Sequence, residues 1–421
     1  MRQPPTSLAY EGLARPARIG ALLRLGPEPL SVVWSNPSRG LHSAGLGVAG
    51  EGGGPVRWVS AAPPKPPPGP WFGGWAFDAT RPWTGFPGER WILPEVLAWW
   101  DGQQPWLAAF GKQGVGEAAL ERRLAAVEEI EPHTACLRAR RRDGGQAGWR
   151  RLVEGALTAI EAGRFEKVVC ARVIDVEADE AFHERAVMKA LEARHKQCWS
   201  FLVRGRDGRA FVGASPEVLC EARDGVLSVD ALAGTAAGGQ GASLLLSEKN
   251  RREHRAVVDE IARVLAPFCS EVERPAAPAV KVLANVDHLH TPFRARLKAG
   301  VDPLVVARAL HPTPAVAGLP RDPALAFLKG REGFARGWYA GAVGAMGEGG
   351  VTLAVALRSA LLDGAKAQVF VGAGIVEGSR PDDEWLETER KARALLPVLG
   401  VYDEPAPLET ERRTRGERPR A

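Results

Sequence analysis

The sequence predicts an α+β fold in which antiparallel sheets form the core and helices pack outside. Two observations carry that expectation. From Gln146 onward, apolar runs joined by short turns outnumber βαβ units, which is the pattern of antiparallel pairing rather than of a doubly wound sheet. Two long segments, Ser247 to Leu265 and Pro381 to Leu399, repeat their apolar residues at helical spacing instead.

Up to about residue 60, short apolar runs such as Ala21-Leu22-Leu23-Arg24-Leu25 and Ser31-Val32-Val33-Trp34 alternate with Gly and Pro, which suits short strands joined by turns. Pro63 to Pro70 is a polyproline-like connector that continues neither a helix nor a sheet interior. Trp58 to Trp106 holds eight of the thirteen tryptophans, a cluster read as aromatic packing inside a domain. Glu117 to Glu131 reads as a polar amphipathic helix and Arg138 to Gly148 as a charged connector. The division is therefore set at residues 1–140 for an N-terminal part of the fold and 141–402 for the main region. Residues 403–421, rich in charge and Pro, are expected to be a disordered tail.

In the main region a helix is expected around Trp149 to Ala162, a strand over Lys167 to Val176 and a helix over Phe182 to Arg194. Strands follow near Ser200 to Arg204, Ala210 to Ala214 and Val218 to Ala222. Between the two long helices lie strands near Val280 to Ala284, Gly341 to Ala345, Thr352 to Leu362 and Gln368 to Val371.

Composition narrows the function classes. With 421 residues, 45% hydrophobic and 25% charged, the chain is an ordinary globular protein with material for a sizeable core. Part of the net charge of +5 sits in Arg412, Arg413, Arg415, Arg418 and Arg420, and no basic stripe with interleaved aromatics argues for nucleic acid. The five cysteines, Cys136, Cys170, Cys198, Cys220 and Cys269, are odd in number and contain no CxxC pair, as expected of reduced thiols. Met1-Arg2-Gln3-Pro4-Pro5 opens without an apolar segment of signal-peptide length, and no stretch reaches bilayer-spanning length. A cytoplasmic location without membrane contact is expected.

Acidic residues stand at strand ends and helix starts. Glu217 ends Gly213-Ala214-Ser215-Pro216-Glu217, a turn after a strand, where a carboxylate can face a cleft. Glu253 lies about two turns into the first long helix. Glu384, Glu387 and Lys391 share one face of the second. Taken alone, that face is a surface salt-bridge ladder. The approach to it changes the reading: Val369 to Ser379 is a strand running into a glycine-rich loop, where backbone N–H groups can meet an anion. The spacing of Gly372, Gly374 and Gly378 misses the dinucleotide fingerprint by one residue, which leaves a nucleotide site as the weaker alternative. Carboxylates converging without Cys or His suit a hard cation, Mg²⁺, with an anionic ligand beside it.

Lys167 opens a strand and reads either as an edge lysine or, if buried, as a general base. Arg358 interrupts an apolar run and needs an anionic partner. His311, in a Pro-rich loop, serves equally as a hydrogen-bonded structural histidine or a ligand contact. No nucleophile–base arrangement supports covalent acyl chemistry.

Eight segments, in this order, resemble the chorismate-utilising enzymes, the family of isochorismate, salicylate, anthranilate and aminodeoxychorismate synthases. They are Phe165 to Arg172, Phe211 to Glu217, Ala231 to Thr235, Ser247 to His254, Leu310 to Arg321, Arg336 to Gly344, Val355 to Ala360 and Val371 to Ala392. The resemblance covers roughly residues 146 to 400 and implies the family's fold and chemistry. Glu217 would protonate the departing C4 hydroxyl of chorismate, and Lys167 would activate water at C2. Glu253 and Glu387, with Glu384 near the waters of the ion, would hold Mg²⁺. Gly234, Thr235, His311, Tyr339, Arg358, Gly374 and Lys391 would contact the substrate.

Lys167 is similar to the lysine that goes with water as nucleophile in this family, which argues against anthranilate synthesis. Ala233 stands where aminodeoxychorismate synthases place a nucleophilic lysine. Leu310 to Arg321 looks like the isochorismate synthases of menaquinone and siderophore pathways. Asn250 departs from members that carry another carboxylate there. The resemblance thus implies an isochorismate synthase; a monomer or weak homodimer is expected. The alternatives are a salicylate synthase that goes on to eliminate pyruvate, or a silent binding subunit on the same fold. The chemistry requires an amine and a carboxyl group facing one pocket that also holds the cation.

Overall fold

A computed structural model describes residues 8–9, 30–52, 71–101, 105–109, 139–143, 145–237, 239–282, 286–347 and 350–402. Among them, two large sheets form the centre and every strand pairing is antiparallel. The first sheet has twelve strands. Its middle runs Leu41–Leu46, Leu30–Asn36, Trp199–Arg204, Ala210–Ser215, Ser359–Asp363, Lys366–Val376 and Lys167–Ala178. The second has ten, with Val286–Leu297, Val226–Ala237, Val218–Arg223, Gly350–Val355, Ala342–Gly347, Trp71–Trp75 and Glu89–Leu93 in that order. Residues 30–101 supply strands to both sheets: Leu30–Asn36 pairs with Trp199–Arg204, and Trp71–Trp75 pairs with Ala342–Gly347.

Strand alternation decides which core each side chain joins. Phe201, Phe211 and Phe370 point from the first sheet into a layer shared with Leu219, Leu227 and Leu353 of the second. Their neighbours Leu202, Val212, Val369 and Val371 point the other way, against helix α2 (Glu184–Arg194) and the turn Leu396–Leu399. Helix α1 (Gln146–Glu161) and helix α6 (Arg321–Arg331) cover the rest of that outer face through Trp149, Val153 and Leu328. Trp338 and Phe201 are fully buried between the sheets, and truncating either to alanine costs about 3–5 kcal/mol. Trp75, Trp91 and Trp99 of the tryptophan cluster are buried as well.

Helix α3 (Gly241–Leu246) leads into α4 (Glu248–Leu265). Ser247 caps α4 by accepting a hydrogen bond from Asn250 N at 3.3 Å. Val257, Val258, Ile261 and Leu265 then seat α4 on the second sheet. Helix α7 (Pro381–Ala392) starts with Pro at its first turn and Asp382, Asp383 and Glu384 there, as the helix dipole favours.

Three expectations are corrected. The second long helix stops at Ala392 rather than Leu399, because Pro397 has no N–H and clashes with the preceding turn; Leu396–Leu399 is a separate 3₁₀ turn. The run Thr352 to Leu362 is two strands in different sheets, Gly350–Val355 and Ser359–Asp363, and the chain crosses between sheets where Arg358 adopts φ 48°. The connector expected over Arg138 to Gly148 is instead the strand Ala139–Asp143, paired with Lys167–Ala178, followed by the start of α1; helix α5 (Pro303–Leu310) and α6 flank the loop from Leu310 to Arg321. The helix at Glu117 to Glu131, the connector Pro63 to Pro70, the run Ala21 to Leu25, Cys136 and the tail 403–421 lie outside the described residues. Cys170, Cys198, Cys220 and Cys269 are free and buried. Among the described residues no helix is long and apolar enough to cross a membrane.

Candidate active site

Between the sheets, beside α4 and α7, lies a cavity of about 320 Å³. Ten residues singled out from the sequence line it: Lys167, Glu217, Gly234, Glu253, Tyr339, Arg358, Gly374, Glu384, Glu387 and Lys391. Two others do not. His311 is buried behind the lining, where its Nε2–H donates to Ala340 O at 3.0 Å and its ring packs edge-on against Trp75 and Phe77. Burial pushes its imidazole down to about 4, so the ring is neutral and structural. Thr235 is on the strand Val226–Ala237, with its side chain outside the described residues.

Lys167 is not an edge lysine. Its strand is flanked at that residue by Val376 on one side and Leu319 on the other. The side chain is 9% exposed, and Nζ is 2.7 Å from Glu253 Oε1 on α4. A β carbon added at Gly374 would sit 3.1 Å from Lys167 Cε, so the glycine leaves the lysine its channel.

Glu217 stands at the start of Val218–Arg223, at the mouth of a turn held by Ser215. Ser215 Oγ donates to Val355 O at 2.6 Å and accepts from Glu217 N at 3.2 Å. Burial outweighs the lowering influence of Lys281 and Lys167 and pushes the Glu217 carboxyl up from 4.5 to about 7. A carboxylic acid that still holds its proton near neutrality is suited to donate one. The acid and the amine thus reach one cavity from different sheets.

A cationic wall faces these groups. Arg358 projects from the crossover between the sheets, and burial draws its guanidinium below the usual arginine value. Its Nη1 contacts Cys198 Sγ at 3.7 Å, and no carboxylate pairs with it among the described residues. Arg336 also lines the cavity, but its N–H groups are committed to Glu332, Val316 O at 2.8 Å and Val169 O at 2.6 Å. Arg358 is therefore the arginine available to an incoming anion. Lys391 Nζ donates to Gly372 O at 2.9 Å and pairs with Glu387 Oε1 at 2.7 Å. Tyr339 stacks on Phe370 with ring centroids 5.2 Å apart, and burial pushes its phenol up to about 12, so it stays a donor. Gly234 occupies a bulge in its strand at φ +75°, a conformation that favours glycine.

Glu253, Glu384 and Glu387 offer only carboxylate oxygens, from α4 and α7, to the same cavity. Among the described residues no three acidic, imidazole or thiol groups come together as a cation cluster. Glu253 and Glu387 each turn one oxygen to a lysine. The donor chemistry fits a hard divalent ion that keeps waters of its own.

Sequence reasoning missed His288, Phe370 and Leu357, which also line the cavity. His288 sits on Val286–Leu297, its Nδ1–H donating to Gly234 O at 3.3 Å. Burial, aided by Lys391 and Arg358, pushes it down to about 3. The alternation Asp287, His288, Leu289, His290 is the one signal that could have placed an imidazole on an inner strand face.

The family model for chorismate binding enzymes matches residues 64–400. The chain is 34% identical to the salicylate biosynthesis isochorismate synthase of Pseudomonas aeruginosa, covering 94% of this chain and 93% of the relative. It is 31% identical to isochorismate synthase MenF of Bacillus subtilis over 78% and 74% of the two chains. Among solved structures it superposes on MenF, the menaquinone-specific isochorismate synthase from Escherichia coli, with a TM-score of 0.77 and 26% identity, covering 94% of this chain and 96% of that one.

Proposed function

The chain belongs to the chorismate-binding enzyme family, and on that footing we propose that it is an isochorismate synthase, an isomerase converting chorismate to isochorismate. The observation that carries the reading is that Glu217 and Lys167, from opposite sheets, line one cavity with Arg358, Tyr339 and Lys391.

In the proposed reaction a water oxygen bonds to C2 of the ring and gives a proton to the Lys167 amine. The ring double bonds shift, the C4–O bond breaks, and the departing oxygen takes the Glu217 proton to leave as water. One water enters and one leaves, and the ammonium and carboxylate exchange a proton through solvent to reset. Each of the two proton transfers contributes on the order of a hundredfold or more. Arg358 and Lys391 bind the carboxylates of the substrate, Tyr339 and Gly374 hold the ring beside them, and Gly234 shapes the wall.

Glu253 and Glu387, with Glu384 beside them, would hold Mg²⁺, which supplies positive charge to fix the ring carboxylate. Residues 1–140 serve as the N-terminal part of the fold and 141–402 as its catalytic region. We place the protein in the cytoplasm, as a monomer or weak homodimer without nucleic-acid or membrane partners, in a menaquinone or siderophore pathway.

The name of the Pseudomonas aeruginosa relative points to salicylate biosynthesis, which keeps salicylate synthase as the second reading. Incubation with chorismate and Mg²⁺ followed by chromatography separates the cases. Isochorismate alone is expected. Salicylate with pyruvate moves the protein to the second reading, and unchanged chorismate rejects both, leaving a silent binding subunit.

A further inference from the structure

Beside the turn that carries Glu217, three polar side chains form a chain of contacts. Lys281, on the edge strand Ala279–Val282, places Nζ 3.1 Å from Asp230 Oδ2 and 3.5 Å from the carbonyl oxygen of Pro216. The other oxygen of Asp230 is 2.8 Å from His290 Nε2. Lys281 is not among the residues that line the cavity, so the role argued for it is positioning. We propose that Lys281, anchored by Asp230 and His290, is a positioning residue for the reaction: it braces the Ser215–Glu217 turn at Pro216 and holds a fixed cation beside the turn that carries the Glu217 carboxyl. The inference rests on the reading of Glu217 as the acid.

Three groups around the site register that cation. It is the largest charge opposing burial at Glu217, and it also acts on the Cys198 thiol and the His288 ring. The anchor is itself charged: burial works to raise Asp230, but His290 and Lys281 outweigh it and hold the carboxyl below the usual range. The groups facing Glu217 are Lys167 from the first sheet, Lys281 from the edge strand, Asp230 from Val226–Ala237 and the Thr313 hydroxyl from the loop after α5. Lys281 and Asp230 act on Glu217 with opposite sign. Removing the first leaves the acid protonated to higher pH, and removing the second does the reverse.

The test is a carboxyl ¹³C NMR titration of the full chain labelled at glutamate, with the Glu217 signal assigned by its loss in Glu217→Gln. Lys281→Met should move the Glu217 midpoint up by about one pH unit. Asp230→Asn should move it down, and Lys281→Arg should leave it in place. The basic limb of kcat/KM for chorismate should follow each change. A brace with no electrostatic role would lower rates without opposite shifts. Lys281→Gln carries the same expectation as Lys281→Met if methionine unfolds the chain. An unmoved midpoint, or the same direction in Lys281→Met and Asp230→Asn, overturns the role of Lys281. A midpoint that moves while the rate profile stays fixed removes Glu217 as the acid, and the proposal with it.

Discussion

Replacing Glu217 with glutamine tests the acid through both stability and rate. The carboxyl binds its proton more tightly in the folded protein, where its pKa is about 7 against an ordinary value of 4.5. A raised carboxyl pKa contributes stability that is complete below the unfolded value, declines from about pH 4.5 and is gone above about pH 7. A shift of roughly 2.5 units corresponds to about 3 kcal/mol, at 1.36 kcal/mol per unit. Glutamine keeps the shape of the protonated acid and cannot ionise. The variant should therefore match the wild type near pH 4.5 and exceed it by up to about 3 kcal/mol at pH 8. Urea unfolding at both pH values measures the gap. Turnover of chorismate should fall on the order of a hundredfold or more below about pH 7, where the wild-type acid holds its proton, since the amide has none to give. A variant no more stable than the wild type at pH 8, or one that keeps its activity, refutes the reasoning.

Other expectations follow from the same cavity. Lys167→Ala should abolish turnover while leaving chorismate binding measurable by calorimetry, and unchanged turnover removes the lysine as base. Arg358→Ala should weaken chorismate binding by about 1.5–3 kcal/mol, the worth of a charge-assisted hydrogen bond, and an unchanged dissociation constant takes Arg358 out of the site. Chelation with EDTA should stop turnover and added Mg²⁺ should restore it; full activity in the chelator rejects the ion assigned to Glu253, Glu384 and Glu387.

Much of the site was legible because its groups stand out locally. Glu217 follows a strand and a Ser-Pro turn, and Glu384, Glu387 and Lys391 fall on one helical face after a glycine-rich loop. Placement in the two sheets was not legible. Gly350–Val355 and Ser359–Asp363 are both apolar and extended, and nothing between them announces a change of sheet except an arginine that proves to be left-handed. The end of α7 was readable from Pro397 but was masked by the leucines around it. Helix α5 carries its own start signal in Asp302 and Pro303, with Asp302 accepting from Leu304 N at 2.8 Å, but the more conspicuous prolines that follow obscure it. His311 and His288 traded places because a histidine in a Pro-rich loop looks accessible, whereas the strand histidine faces inward only once its sheet is assembled.

Because the proton donor hangs from one wall and the amine from the other, the gap between them is a dimension of the building rather than of either room. The layer of Phe201, Phe211, Phe370 and Trp338 acts as the spacer. A methylene added to or taken from that layer alters the working stroke of the reaction without touching a reacting atom. Apolar positions that never meet chorismate thereby become the adjustment screws of its conversion.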